Sequence, residues 1–201
     1  AIPVTIGSRP PIHQSSITAS HYALDSHAVR KREEGRVHLD GFLSYPSAVY
    51  TVPYGVMVPK EVGNLLLPVP VSGSHIGFST LRMEPCWMAM GQAAGIASAL
   101  SIDGKVKVQN IDLSRLQDKL VDQKATLMYF KDVDYTSPHF RMVQYLGLRG
   151  YLPEWTARLQ EPVDMATLTA WKKLSGKDLP GIEAGKTTRL VALEMIYRKI
   201  K

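Results

Sequence analysis

Hydrophobic and polar positions change their rhythm several times along this chain. From residue 1 to about 50, short β-like pieces such as Arg36-Val37-His38-Leu39 sit in a polar, proline-containing, histidine-rich background without helical periodicity. That texture predicts loops and short strands wrapping something larger. β-formers at residues 49–52 and 56–58 flank Pro53-Tyr54-Gly55, a turn signal that predicts a hairpin or bent strand. The continuous apolar run Asn64-Leu65-Leu66-Leu67-Pro68-Val69-Pro70-Val71 predicts a strand buried on both faces. Pro68 and Pro70 each remove a ladder donor and push its second half to an edge or an extended exit.

Helical texture begins at Glu84-Pro85-Cys86 and runs to Leu100, with Pro85 suited to a first turn and Gly104 past the end. Almost no charge follows the first turn. The helix is therefore expected to be buried nearly all round, with Gly91, Gly95 and their alanine neighbours admitting another backbone closely. A second helix starts at Asp112 as N-cap, with Leu113, Leu116 and Leu120 as its apolar stripe. Three further amphipathic helices follow at residues 138–149, 164–174 and 188–199, the first two stopped by Gly150 and Gly176. The change of texture places a boundary near Lys131, dividing residues 1–130 from 131–201.

Composition narrows the possibilities. At 201 residues, 45% hydrophobic and 21% charged, the chain buries a core. Its net charge of +6 is spread among acids, and the one basic run, Arg30-Lys31-Arg32, has no interleaved aromatics, so it reads as a solvated loop rather than a nucleic-acid contact. A single cysteine, Cys86, excludes an internal disulfide or a multi-cysteine metal site. No stretch approaches the roughly 18 apolar residues of a membrane helix, and the start lacks a signal peptide's basic-then-apolar order. Export to the periplasm or medium would require a leader upstream. The opening Ala1-Ile2-Pro3-Val4-Thr5-Ile6 lacks an initiator methionine and suggests an N-terminal truncation.

The candidate chemistry lies between the apolar run and the first long helix. Ser72, Ser74, His75, Ser79, Thr80, Arg82 and Glu84 precede a helix N-terminus whose unpaired N–H groups favour an anion or a carbonyl gaining negative charge. The same residues can equally serve as caps of a buried helix, and spacing names no ligand.

Val52-Pro53-Tyr54-Gly55-Val56-Met57-Val58-Pro59-Lys60, Asn64-Leu65-Leu66, Val71-Ser72-Gly73-Ser74-His75 and Ser79-Thr80-Leu81-Arg82-Met83-Glu84-Pro85, running into Met90-Gly91-Gln92-Ala93-Ala94-Gly95-Ile96-Ala97, resemble the last third of a family of bacterial FAD-dependent oxidoreductases sometimes labelled xanthan-lyase-related. The resemblance spans residues 22–120, including Asp25-Ser26-His27. It implies an α/β fold, the C-terminal part of a two-domain Rossmann-type flavoprotein, with FAD as cofactor. It also implies Ser72, Gly73, Ser74, His75, Arg82, Met83 and Glu84 as flavin-proximal positions. No Gly-x-Gly-x-x-Gly occurs in the chain, so the phosphate-binding turn is missing and the FAD site is incomplete. The chain alone is expected to be inactive and colourless, its natural partner being the missing N-terminal FAD-binding region.

Each side chain carries two readings. His75 is a proton donor beside the flavin or a hydrogen-bonded loop residue. Arg82 offsets flavin charge, or pairs with Glu84 or a buried carbonyl. Cys86 reads as a small buried apolar group rather than a redox thiol. Asp25-Ser26-His27, with His21 and His38, matches no metal-ligand spacing and suits substrate-side hydrogen bonding or loop structure. Tyr54 stacks on the cofactor or packs beneath a sheet, and Met83, Met88 and Met90 fill the core. No hydrolase triad or carboxylate pair stands out.

Phe130-Lys131-Asp132-Val133-Asp134, then 139–152 and Pro162-Val163-Asp164-Met165-Ala166-Thr167-Leu168 resemble one degenerate surface-layer-homology repeat, an α-helical appendix. The leading expectation is a flavin oxidoreductase acting by hydride transfer at N5 on a small or carbohydrate-derived substrate. Its rivals are a non-catalytic glycan- or envelope-binding protein, and a polysaccharide lyase suggested by the family label alone.

Overall fold

The structure is a computed structural model that describes residues 12–27 and 42–201. The expected strand at 36–39, the run Arg30-Lys31-Arg32 and His38 lie outside the described residues, as do the side chains of Ser26 and His27.

The fold mixes helix and strand. β1 (Ser16–Ser20) pairs antiparallel with β4 (Tyr50–Pro53), and β2 (Leu24–His27) pairs antiparallel with β3 (Phe42–Tyr45). β1 and β4 bury Ile17, Tyr50 and Val52 almost completely, which anchors this pair in the core. β4 does not continue as a bent strand: Pro53 has no donor, and Tyr54–Met57 tightens into a 3₁₀ turn. That turn buries Tyr54, whose hydroxyl donates to the Val108 carbonyl at 2.9 Å, so this tyrosine belongs to the packing.

The expected strand at residues 64–71 does not form. The segment makes isolated bonds instead, Leu67 N–H to the Met57 carbonyl at 2.9 Å and Ser72 N–H to Val56 at 2.8 Å, while Leu65 and Val69 stand exposed. Two prolines in four residues leave too few donors for a ladder. The stretch expected as loop instead folds into α1 (His75–Leu81), whose N-cap Ser74 accepts from the Gly77 amide at 3.0 Å.

α2 (Glu84–Gly104) follows after two residues and packs Met90, Ala93, Ala97 and Leu100 against β1 and α3 (Leu113–Asp122). The expectation of all-round burial fails. Met88 and Ile102 are 74% and 75% exposed, Gly95 is exposed, and Met88 is therefore not core filler. A Cβ built on Gly91 or Gly95 would meet nothing within 4 Å. Apolar composition shows that a face can be covered; the described residues cover half of this one. Gly95→Ala should accordingly stabilise this chain by about 0.5–1 kcal/mol through helix propensity alone, read from urea midpoints. A loss of stability would mean that a neighbour does approach that face.

The later helices follow their local signals. Asp112 caps α3 by accepting from the Ser114 and Arg115 amides, Asp164 caps α5 (Met165–Ser175), and Thr188 caps α6 (Arg189–Ile200). α4 (Phe140–Leu148) runs into Gly150, and α5 into Gly176, both at positive φ. Between α3 and α4, residues 125–130 are held from both sides. Thr126 accepts from Ala19 N–H of β1 at 2.7 Å, while the buried Gln144 side chain of α4 bonds Leu127 and Met128. The buried apolar residues form one cluster running from β1 to α6. Ion pairs from Arg141 to Asp118 (3.2 Å) and Asp122, and from Lys201 to Asp118 (2.8 Å), close the outer edge of the α3–α4 contact.

Candidate functional site

The polar residues singled out in the sequence converge on the elbow between α1 and α2. α1 ends at Leu81, and in its last turn the Thr80 carbonyl meets the Tyr50 hydroxyl in place of a helical partner. Arg82 and Met83 then turn the chain, and α2 starts at Glu84 with Pro85 in its first turn. Met83 offers α2 no side-chain cap, so the first-turn amides stay uncapped. In the same turn Trp87 Nε1 is buried, with no hydrogen-bond partner among the described residues.

On the outer side of the elbow, Arg82 Nη2 donates to Asp25 Oδ2 at 3.3 Å. The guanidinium lies 5.8 Å from the Tyr22 ring centre, and the Tyr22 hydroxyl reaches the same carboxylate oxygen at 3.4 Å. The Asp25 amide donates to Ser79 Oγ at 3.2 Å, which fixes β2 along α1. The Arg82 and Asp25 side chains are 29% and 15% exposed, so the pair is shielded without being sealed. Of the readings open for Arg82, pairing with Glu84 is replaced by pairing with Asp25. Glu84 stays exposed, where its charge complements the α2 N-terminus.

On the inner side, the Tyr50 hydroxyl lies 2.7 Å from Thr80 Oγ1 and 3.0 Å from the Thr80 carbonyl. Thr80 Oγ1 donates to the Tyr22 carbonyl at 2.6 Å, which leaves Tyr50 as donor toward Thr80. Ser20 Oγ is 3.3 Å from the same hydroxyl. Burial raises the pKa of both Tyr50 and Cys86, the Ser20 contact opposing it in each case, so both remain protonated at neutral pH. Cys86 is thus the small buried group expected of it.

The remaining candidates sit along the approach to α1. Ser72 and Gly73 are exposed, Ser74 is spent on capping, and His75 occupies the first position of α1 on the surface. The structure thus brings Ser79, Arg82, Met83 and Asp25 together at the elbow and leaves Ser72 to His75 one helix away along the chain. Sequence reasoning missed Tyr22, Tyr50 and Ser20. Ser20 and Tyr50 are marked locally only by a polar atom within a strand, and Tyr22, between β1 and β2, carries no local mark at all.

Clefts elsewhere are lined by His13, Gln117 and Arg149, and by Asp132, His139 and Arg158, and include none of the elbow residues. Among the described residues no group of His, Cys, Asp and Glu is placed to hold a metal ion, and no helix is long and apolar enough to cross a membrane.

Comparison with known families matches residues 9–120, which run from before β1 into α3 and include the whole elbow, to the FAD dependent oxidoreductases. No curated protein and no solved structure matches the chain. The matched residues make up more than half of the sequence, so the chain belongs to the FAD dependent oxidoreductase family, whose cofactor is FAD.

Proposed function

We propose that the α1–α2 elbow forms the wall of the FAD site that faces the flavin ring, in an oxidoreductase that moves a hydride between a small or carbohydrate-derived substrate and flavin N5. The observation that carries this reading is the pairing, within the family-matched stretch, of an uncapped α2 first turn with a partly exposed arginine fixed beside it. The Trp87 N–H, without a partner among the described residues, adds a donor in the same turn. These features fit the ring end of FAD. None of the 201 residues forms a Gly-x-Gly-x-x-Gly turn, and the pyrophosphate is assigned to residues outside this sequence.

When bound, FAD supplies the two-electron chemistry at N5. The chain's own contribution is positional and electrostatic. Uncapped amides at Glu84 and Cys86 favour a carbonyl edge that gains charge. Arg82 adds a fixed positive charge, moderated by Asp25, and Glu84 disfavours a second full anion at the same helix end. Ser72, Gly73 and Ser74 shape the approach to α1, and His75, exposed at its start, is the candidate to hold or pass a proton. We assign Met83 and Glu84 to the wall through their backbone.

The full-length holoprotein carrying Arg82→Gln tests this. Removing a charge-assisted contact should weaken FAD binding about tenfold or more and lower the flavin midpoint potential, with the melting temperature little changed. Unaltered affinity and potential would sink the reading. The 201-residue chain alone should purify colourless, and tight FAD binding by it would move the nucleotide site into these residues.

A further inference from the structure

The elbow is held from beneath by a polar knot that the flavin reading does not itself require. Tyr50 is 2% exposed and Thr80 fully buried, yet each brings a hydroxyl into the core, and the two meet at 2.7 Å. The Tyr50 hydroxyl is also 3.0 Å from the Thr80 carbonyl, one of the last carbonyls of α1, which have no partner inside the helix. A helix of seven residues ending there needs an outside donor at that point. Tyr50 stands at that point from β4, its one hydroxyl proton shared between Thr80 Oγ1 and the Thr80 carbonyl, two residues before Arg82 turns the chain.

The knot reaches further. Thr80 Oγ1 holds the Tyr22 carbonyl, and the Tyr22 ring lies under the Arg82 guanidinium. Ser20, at the end of β1, lies 3.3 Å from the Tyr50 hydroxyl through its own Oγ. The last turn of α1 and the aromatic face beneath Arg82 are therefore referenced to one buried hydroxyl. Asp25 and Ser79 make a second, outer tether on the same elbow.

We propose that Tyr50, acting through Thr80, is a positioning residue that sets the angle of the α1–α2 elbow and with it the placement of Arg82 and the α2 first turn. This rests on the reading of the elbow as the flavin-facing wall. Tyr50 itself touches neither cofactor nor substrate.

The test uses the full-length holoprotein with Tyr50→Phe, which keeps the ring in the core, together with Arg82→Gln and the double variant. Tyr50→Phe should still fold and bind FAD stoichiometrically. It should weaken FAD binding by about three- to tenfold, as expected for one hydrogen bond, shift the flavin midpoint potential in the same direction as Arg82→Gln, and alter the bound flavin's visible absorption. The double variant should fall short of the product of the two single effects, because both act through one guanidinium. Hydrogen exchange at residues 81–87 should quicken in Tyr50→Phe even without FAD. If Arg82→Gln perturbs the flavin while Tyr50→Phe leaves potential and spectrum at wild type, the positioning role is wrong and the flavin wall stands. If neither variant perturbs it, both fall. Should Tyr50→Phe fail to fold, Thr80→Val, which removes the second hydroxyl of the knot and keeps its shape, is read by the same measurements.

Discussion

Replacing Gln144 by leucine should lower the free energy of unfolding by about 3–5 kcal/mol. The side chain is fully buried. Its amide oxygen accepts from Leu127 and Met128 N–H at 2.8 Å each, and its NH₂ group donates to the Met128 carbonyl at 2.7 Å. Leucine fills nearly the same space, so no cavity complicates the result, but it strands two donors and an acceptor in a dry interior. The segment concerned belongs to no helix or strand and cannot recover those bonds by extending a ladder. Its other side is tied to β1, through Ala19 N–H to Thr126 and Ser16 Oγ to the Leu127 carbonyl at 2.7 Å each. Gln117 extends the network by donating to the Gln14 and Ser16 carbonyls. Chemical denaturation followed by circular dichroism measures the loss. A change below about 1 kcal/mol would mean that water or a shifted backbone satisfies the stranded groups.

Gln144 also marks how far a reading of the residues reaches. Signals that act within one turn were legible: Asp112, Asp164 and Thr188 cap the helices they precede, and Leu116 and Leu120 are buried as the stripe requires. A seven-residue helix such as α1 holds barely two turns, too few for a periodic pattern, so its cap Ser74 looked like loop chemistry. The run at 64–71 had the composition of a buried strand, but Pro68 and Pro70 outweighed it. For α2, apolar residues on every face established that burial is favourable and not what provides it.

The site was legible in the same uneven way. Asp25, Ser79 and Arg82 were each visible as polar residues of interest, while their meeting was not. Arg82 and Asp25 lie 57 positions apart, and Tyr50 and Thr80 lie 30 apart. Contacts at such separations depend on how β1, β4 and the elbow stack, which no local period encodes. Family resemblance pointed to these residues without indicating that Asp25 would be the partner of Arg82 or that a tyrosine would lie below it.

The second large effect belongs to Trp171, whose truncation to alanine should cost about 3–5 kcal/mol and lower the melting temperature by about 10 °C. The indole is 1% exposed, and Nε1 donates to the Tyr151 carbonyl at 2.7 Å. Its ring also faces Arg189, whose guanidinium carbon lies 5.3 Å from the ring centre. Arg189 is itself 3% exposed and donates through Nε to the Ala157 carbonyl at 2.9 Å. Burial, then the nearby Arg158, pulls its pKa down, and Glu154, Asp164 and Glu161 oppose that shift. Alanine would open a cavity, orphan the Tyr151 carbonyl and remove the aromatic face from a buried cation at once. Trp171→Phe separates these contributions: it keeps much of the volume and the π face, loses only the donor, and should cost about 1–2 kcal/mol. Arg189→Met, combined with Trp171→Ala in a double-mutant cycle, should give less than the sum of the single losses, since each residue supports the other. Additive losses measured by thermal and urea unfolding would show that Arg189 is held by Ala157 and the surrounding carboxylates alone, with the indole contributing volume and nothing electrostatic.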